Sequence, residues 1–114
     1  MPHIIIEHSL NSFKAQNTAN LLKEIHLVVE TSNLFNRDNI KIRLHKVDDF
    51  LLDCEYQHFI HVQCRVHIGR TQNQQQELTT RLVDSLAKFA RPQTVITCEI
   101  VEMNRDSYRK AIIN

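Results

Sequence analysis

The sequence contains a single glycine, two prolines and no tryptophan among its 114 residues. One glycine cannot build a glycine-rich phosphate loop, and so few glycines and prolines argue against long linkers or disordered segments. No apolar run approaches the roughly 18 residues that a membrane-spanning helix needs. The sequence also shows no basic segment followed by an apolar stretch, so it predicts no signal peptide. We therefore expect a compact cytoplasmic protein that does not enter a membrane.

Neither sign of charge is in excess, because 14 Lys and Arg stand against 13 Asp and Glu. A formal net charge of +1 leaves no basic footprint, so we expect no nucleic-acid partner. The three cysteines, Cys54, Cys64 and Cys98, are widely spaced and indicate reduced thiols rather than a disulfide framework. Seven histidines suggest a metal site, but His61 and His67 on one strand would lie about 20 Å apart, too far to share an ion. We predict no metal site.

The length predicts one domain over residues 1–114, divided into a first half (2–57), a second half (58–103) and a C-terminal tail (104–114). In the first half, residues 2–8 read as a strand and Asn17 or Thr18 can cap a helix. A second strand alternates apolar and polar residues from Ile40 onwards, and residues 46–58 turn. The expected inward side chains of this half are Ile4, Ile6, Leu21, Leu22, Ile25, Val28, Val29, Ile42 and Leu44.

The second half repeats the order of strand, helix and strand. Its first strand, Phe59–Ile68, alternates clearly, and Thr71 with Gln74 has the spacing of a capping box at the start of a helix. We expect Arg91-Pro92 to stop this helix and residues 95–103 to form the last strand. The tail has a possible short turn around residues 107–110. The expected inward side chains of this half are Ile60, Val62, Cys64, Val66, Ile68, Leu78, Leu82, Leu86 and Phe89.

This order predicts an α+β fold, in which two β-α-β units form a four-stranded mixed sheet with two helices on one face. The other face of the sheet then has no helix to cover it. Such a face is either solvated or the inner wall of an oligomer, and we favour the oligomer because a small domain builds few hydrophobic layers alone. The polar side chains expected on this face include Arg43, His45, Gln63, Arg65 and His67.

The first residues, Met1-Pro2-His3, lead directly into the first strand. An initiator Met before Pro is normally removed, and this would leave Pro2 with a free secondary amine. Burial and nearby cations lower the pKa of such an amine, and a neutral amine in an apolar pocket can act as a general base. The simpler alternative is a strand that begins with Pro at a position where its missing N–H costs nothing.

Four features together resemble one known family. They are the Met-Pro-His start, the segment Ile42–Asp48, the strand Phe59–Val62 and the step Gly69-Arg70. In the same order over almost the whole chain, they resemble the 5-carboxymethyl-2-hydroxymuconate isomerase family of the tautomerase superfamily. The resemblance implies a homotrimer without a cofactor. It also implies that an N-terminal proline moves a proton on a small carboxylated enol, in the breakdown of aromatic compounds such as homoprotocatechuate.

The resemblance also implies which residues act. Pro2 matches the proline base, and Arg43 and Arg70 match arginines of the family, so these three are the predicted catalytic residues. Arginine suits both the negative charge that develops on a dienolate and a bidentate grip on carboxylates. Lys41 stands where the family tends to carry a further arginine. The predicted substrate contacts are Lys41, His3 and Phe35.

The sequence also allows other roles for the two arginines and other functions for the fold. Arg70 could be a solvated loop arginine, and Arg43 could pair with Asp48, Glu99 or Glu102. The fold could also act on another 2-hydroxydienoate or 2-oxo acid, since a fold does not fix a substrate. A third hypothesis is a trimer that binds a small ligand without catalysis.

Overall fold

The computed structural model describes residues 1–14, 18–52 and 55–114, so Asn17 and Cys54 of the sequence analysis lie outside the described residues. A one-turn 3₁₀ helix (Arg37–Asn39) precedes the second strand. The other elements, in chain order, are β1 (His3–Ser9), α1 (Thr18–Thr31), β2 (Lys41–Val47), β3 (His58–His67), α2 (Gln72–Ala87) and β4 (Thr94–Met103).

The four strands form one mixed sheet in the order β2-β1-β3-β4. β1 is parallel to β2, β3 is parallel to β4, and β1 joins the two halves by running antiparallel to β3. The predicted arrangement of two β-α-β units is therefore confirmed. These directions bring the starts of β1 and β2 and the ends of β3 and β4 to the same end of the sheet, where His3 pairs with both Lys41 and Arg65.

The core lies between one face of the sheet and the two helices, as predicted. Alternation along β1 and β3 places every second side chain on this face, and both helices turn a buried stripe towards it. Removing one of these fully buried leucines or isoleucines by substitution with Ala would cost about 2 to 5 kcal/mol. The core side chains that are almost fully buried are Ile4, Ile6, Leu21, Ile25, Val29, Ile60, Val62, Cys64, Val66, Leu78, Leu82 and Leu86.

The start of α2 is confirmed and its predicted end is wrong. Thr71 accepts from the backbone N–H of Gln74, and the Gln74 side chain accepts from the N–H of Thr71, which completes the capping box. The helix ends at Ala87, before Arg91-Pro92, and Phe89 lies beyond it. The backbone carbonyl of Phe89 accepts from the N–H of Lys14 at 2.7 Å, so pairing with the segment after β1 replaces the last helical turn.

Two expectations near the end of β3 and in the tail are also corrected. Ile68 is 54% exposed, because β3 ends at His67 and the alternation stops there. The turn in the tail comes earlier than residues 107–110. It is closed by the N–H groups of Asp106 and Tyr108, which donate to the side-chain and backbone oxygens of Asn104. In the described part of the chain, no helix is long and apolar enough to cross a membrane.

Candidate active site

The beginning of the chain is fixed against the start of β2. Pro2 is fully buried, and its carbonyl accepts from the backbone N–H of Lys41 at 3.0 Å. The amine of Met1 donates to the carbonyl of Asn39 at 2.9 Å. Because Pro2 carries no N–H of its own while Met1 is attached, its burial leaves no donor unpaired. The strand pairing of β1 with β2 therefore holds the terminal amine at a defined place.

Three cationic side chains surround this terminal amine. Lys41 donates to the carbonyl of Asn39 at 3.2 Å, Lys110 donates to the side-chain oxygen of Asn39 at the same distance, and Arg70 follows the end of β3. Partial burial, and then the positive charges of Lys41, Lys110 and Arg70, lower the pKa of the terminal amine below its usual value. A neutral amine is thus favoured where the N-terminus lies.

These cations have no carboxylate partner among the described residues. The ion pairs that the described residues form lie elsewhere, at His26–Glu30, Arg37–Glu30 and His61–Glu99. Uncompensated positive charge around one point attracts anions and leaves donors available for carboxylate oxygens. The end of the sheet at which the N-terminus lies therefore has the charge that favours anions.

Arg70 is held in place rather than free in solvent. Its Nη2 donates to the carbonyl of Leu34 at 2.9 Å and its Nη1 to the carbonyl of His67 at 3.2 Å. The guanidinium also lies 4.6 Å from the ring centroid of Phe35. Gly69 has a φ of 122°, which side-chain-bearing residues rarely adopt, and this turn leads the chain from β3 into Arg70. The alternative of a solvated loop arginine is wrong.

Arg43 reaches the site through His3. Its Nη1 lies 3.1 Å from His3 Nδ1, and because guanidinium only donates, His3 Nδ1 accepts. Burial and the charges of Arg43 and Lys41 lower the pKa of His3, so the ring is neutral and its remaining proton sits on Nε2. That proton points to Tyr108 Oη at 3.0 Å. Arg43 forms no ion pair with any described carboxylate, so the alternative of a structural pair with residue 48, 99 or 102 is wrong.

The C-terminal tail crosses the polar face of the sheet, which the sequence analysis treated as uncovered. The ring of Tyr108 stands perpendicular to His67 with centroids 5.1 Å apart, and Arg105 donates to the carbonyl of Ile68. Sequence reasoning missed both Tyr108 and Lys110 as residues of the site. The only signal was an aromatic residue between basic ones in a short tail, at Arg105, Tyr108 and Lys110.

The predicted site residues thus gather at one end of the sheet. Pro2, Lys41 and Arg70 lie around the terminal amine, Phe35 packs on Arg70, and His3 links Arg43 to the tail. No group of three metal-binding side chains occurs in the part of the chain that the structure describes.

The two described cysteines do not offer a nucleophile. Burial raises the pKa of the Cys64 and Cys98 thiols to about 12, so thiolate is scarce at neutral pH.

Known proteins share both the sequence pattern and the fold. The family of 5-carboxymethyl-2-hydroxymuconate isomerase matches residues 2–114, whereas no curated protein sequence matches the chain. A 5-carboxymethyl-2-hydroxymuconate isomerase from Deinococcus radiodurans R1 is 21% identical, with a TM-score of 0.81 over 96% of this chain and 88% of that one. A 5-carboxymethyl-2-hydroxymuconate delta-isomerase is 14% identical, with a TM-score of 0.82 over 100% of this chain and 89% of that one.

A third similar structure is a symmetric trimer, that of wild-type fused 4-OT. It is 14% identical to this chain, with a TM-score of 0.76 over 93% of this chain and 91% of that one. At these identities the solved structures show that the fold is shared, and the family match covers nearly the whole sequence. The protein is an isomerase that belongs to the 5-carboxymethyl-2-hydroxymuconate isomerase family.

Proposed function

We propose that this protein converts 5-carboxymethyl-2-hydroxymuconate into its keto isomer, with Pro2 as the general base, and that it works as a homotrimer. One observation carries the proposal. The N-terminus lies among Lys41, Lys110 and Arg70, and none of these three cations has a carboxylate partner in the described residues. A low-pKa amine inside a cationic region suits a substrate that has an acidic enol proton and is rich in carboxylates.

The reaction needs a base that takes a proton and gives it back. After removal of Met1, neutral Pro2 accepts a proton from one end of the conjugated hydroxymuconate system. It returns that proton to a carbon further along, while the double bonds shift and the enol becomes a ketone. No atom is gained or lost, so no cofactor is required. General-base catalysis of this kind contributes roughly 10²- to 10⁴-fold to a rate.

Arginine would stabilise the charge that develops between these two steps. Two bonds to the carbonyls of Leu34 and His67 hold the Arg70 guanidinium, and they use two of its five N–H donors. A donor fixed before the reaction costs no reorganisation when the dienolate forms, and losing such a donor typically costs about 3 to 4 kcal/mol. Lys41 would bind a substrate carboxylate beside Arg70. His3 would keep Arg43 directed along the polar face.

The test begins with the intact mass of the protein and an ultraviolet assay on 5-carboxymethyl-2-hydroxymuconate. We expect a mass without Met1 and a loss of the dienol absorbance. A protein prepared with Met1 retained, by an added residue that blocks trimming, is the matched control, because its Pro2 nitrogen is an amide with no basicity. This control should fold normally and show no turnover. Normal turnover by the blocked protein would contradict the assignment of Pro2 as base.

The second candidate keeps the fold and the base and changes the substrate to another 2-hydroxydienoate or 2-oxo acid. Lys41, at the place where the family tends to carry arginine, favours it, because an ammonium cannot grip a carboxylate in the bidentate way of a guanidinium. A trimmed protein that is inactive on 5-carboxymethyl-2-hydroxymuconate and active on a smaller 2-hydroxydienoate would support this candidate. A mature protein that retains Met1 and turns over neither compound would indicate a binding trimer without catalysis.

A further inference from the structure

The C-terminal segment Asn104–Lys110 lies across the end of the sheet where the N-terminus is held. It leaves β4 beside the end of β3, where Arg105 donates to the carbonyl of Ile68 at 3.3 Å. It passes His67 and His3 at Tyr108 and reaches Asn39, just before β2, at Lys110. The segment therefore touches three of the four strand ends that surround the terminal amine.

Asn39 connects this segment to the terminal amine and to β2. Its backbone carbonyl accepts from the Met1 amine and from Lys41, and its side-chain oxygen accepts from Lys110 at 3.2 Å. An ammonium has three N–H donors, so the single bond from Lys110 to Asn39 leaves two for a ligand. No ion pair of the described residues involves Lys110. A cation fixed in this way beside two others favours a ligand with more than one carboxylate.

We propose that the segment Asn104–Lys110 forms a wall of the substrate site, in which Lys110 binds the carboxylate of the carboxymethyl group and Tyr108 anchors the segment. The proposal rests on the proposed function and deepens it, because it names the residue that distinguishes a tricarboxylate from a smaller dicarboxylate. Lys41 and Arg70 remain for the carboxylates that both substrates share. Lys110 is therefore a specificity-determining residue.

Tyr108 is a positioning residue, since it acts through the segment and its neighbours. Its ring packs perpendicular to His67, and its hydroxyl accepts from His3 at 3.0 Å, while His3 in turn accepts from Arg43. These contacts join residues 105 positions apart in the chain. Without the Tyr108 side chain, the hydrogen bonds that join this segment to other described parts of the chain reduce to Arg105 with Ile68 and Lys110 with Asn39.

The experiment compares Lys110→Gln with Lys46→Gln. Lys46 is the matched control, because it is an exposed lysine near the end of β2 that lies away from the terminal amine, outside both the site and the proposed wall. For Lys110→Gln we expect KM for 5-carboxymethyl-2-hydroxymuconate to rise about fivefold, the size of an exposed ion pair, with kcat nearly unchanged. KM for 2-hydroxymuconate, which lacks the carboxymethyl group, should change in neither variant. Equal effects of the two variants, or equal effects on the two substrates, would overturn the proposal.

A double-mutant cycle tests the anchoring role. Tyr108→Ala should raise KM for the larger substrate as Lys110→Gln does, and the double variant should lose no more than either single one. Tyr108→Phe keeps the ring on His67 and should lose less than Tyr108→Ala. Additive losses would overturn the anchoring role.

Binding of citrate, measured by calorimetry, keeps this inference separate from the proposed function. A wild-type protein that is inactive on both muconates but binds citrate, with a dependence on Lys110 and none on Lys46, would refute the proposed substrate and support the proposed role of the segment as a wall. If the protein turns over the larger substrate and Lys110→Gln does not change this turnover, the proposed substrate is supported and the proposed role of the segment as a wall is refuted. Absence of turnover, together with citrate binding that does not depend on Lys110, would refute both the proposed substrate and the proposed wall.

Discussion

The terminal amine is the residue-scale feature on which the site depends, and its surroundings are set by charge more than by shape. Lys41, Lys110 and Arg70 each lower its pKa, and partial burial lowers it first. The active form of a base is the deprotonated one. In the proposed mechanism Pro2 becomes the terminal amine beside the same cations once Met1 is removed. A lowered pKa would then extend activity to lower pH, and the loss of one of these cations should move the acidic limb of the kcat/KM profile to higher pH.

Lys41→Gln tests this relation between charge and basicity. With one cation removed, the amine binds its proton more tightly, so the acidic limb of the kcat/KM profile should move to higher pH. Lys46→Gln is the control. This substitution also removes one positive charge from β2, but Lys46 is not among the residues that lower the pKa of the terminal amine. The measurement is kcat/KM against pH for the three proteins. A limb that stays in place in Lys41→Gln, or moves as far in Lys46→Gln, would contradict the assignment.

Part of the candidate site can be predicted from the sequence at this scale. The Met-Pro start and the Gly69-Arg70 step are local patterns, and the resemblance that they carry indicates Pro2 and Arg70 as site residues. Tyr108 and Lys110 were not found, since their roles come from contacts with His3 and Asn39 far away in the chain. No local pattern encodes where an irregular tail lies on a sheet.

At the scale of elements, α2 shows what a short pattern can and cannot predict. The capping box at its start is a bond pattern within four residues, and the spacing of Thr71 and Gln74 predicted it correctly. Its end depends on the bond between Phe89 and Lys14, which are 75 positions apart, and the prediction from Arg91-Pro92 was wrong there. The strands were predicted well because alternation directly reports which face is buried.

Thr71→Ala should lower the stability of the protein through this cap. The substitution leaves the N–H of Gln74 without its acceptor, and the loss of such a cap costs about 1 kcal/mol of the free energy of unfolding. Thr80→Ala is the control within the same helix, because Thr80 is exposed and its hydroxyl bonds only to the carbonyl of Gln76. Urea unfolding should show a lower midpoint for Thr71→Ala alone. Equal midpoints in the two variants would show that the cap does not stabilise the helix.

At the scale of the whole molecule, the chain covers only part of the sheet face that lies away from the helices. The tail covers its end near the N-terminus, where Tyr108 contacts His3 and His67. Further along this face, Phe50 packs edge-on against Phe59, whose partner across the parallel ladder is Val95. The edge strands β2 and β4 each have one side with no partner strand in the described chain. Apolar side chains between two open edges favour association with further copies.

We expect sedimentation equilibrium to give three times the chain mass of 13.4 kDa. Val95→Asp places a charge among the apolar residues of the open face, and burying an unpaired carboxylate there would cost more than the contact stabilises. This variant should therefore shift to smaller species while its circular dichroism stays that of the folded protein. Leu27→Asp is the control, since Leu27 is 51% exposed on α1 and away from the sheet. A wild-type monomer would mean that this face is solvated and that each chain works alone. Dissociation of both variants alike would mean that this face is not what holds the copies together.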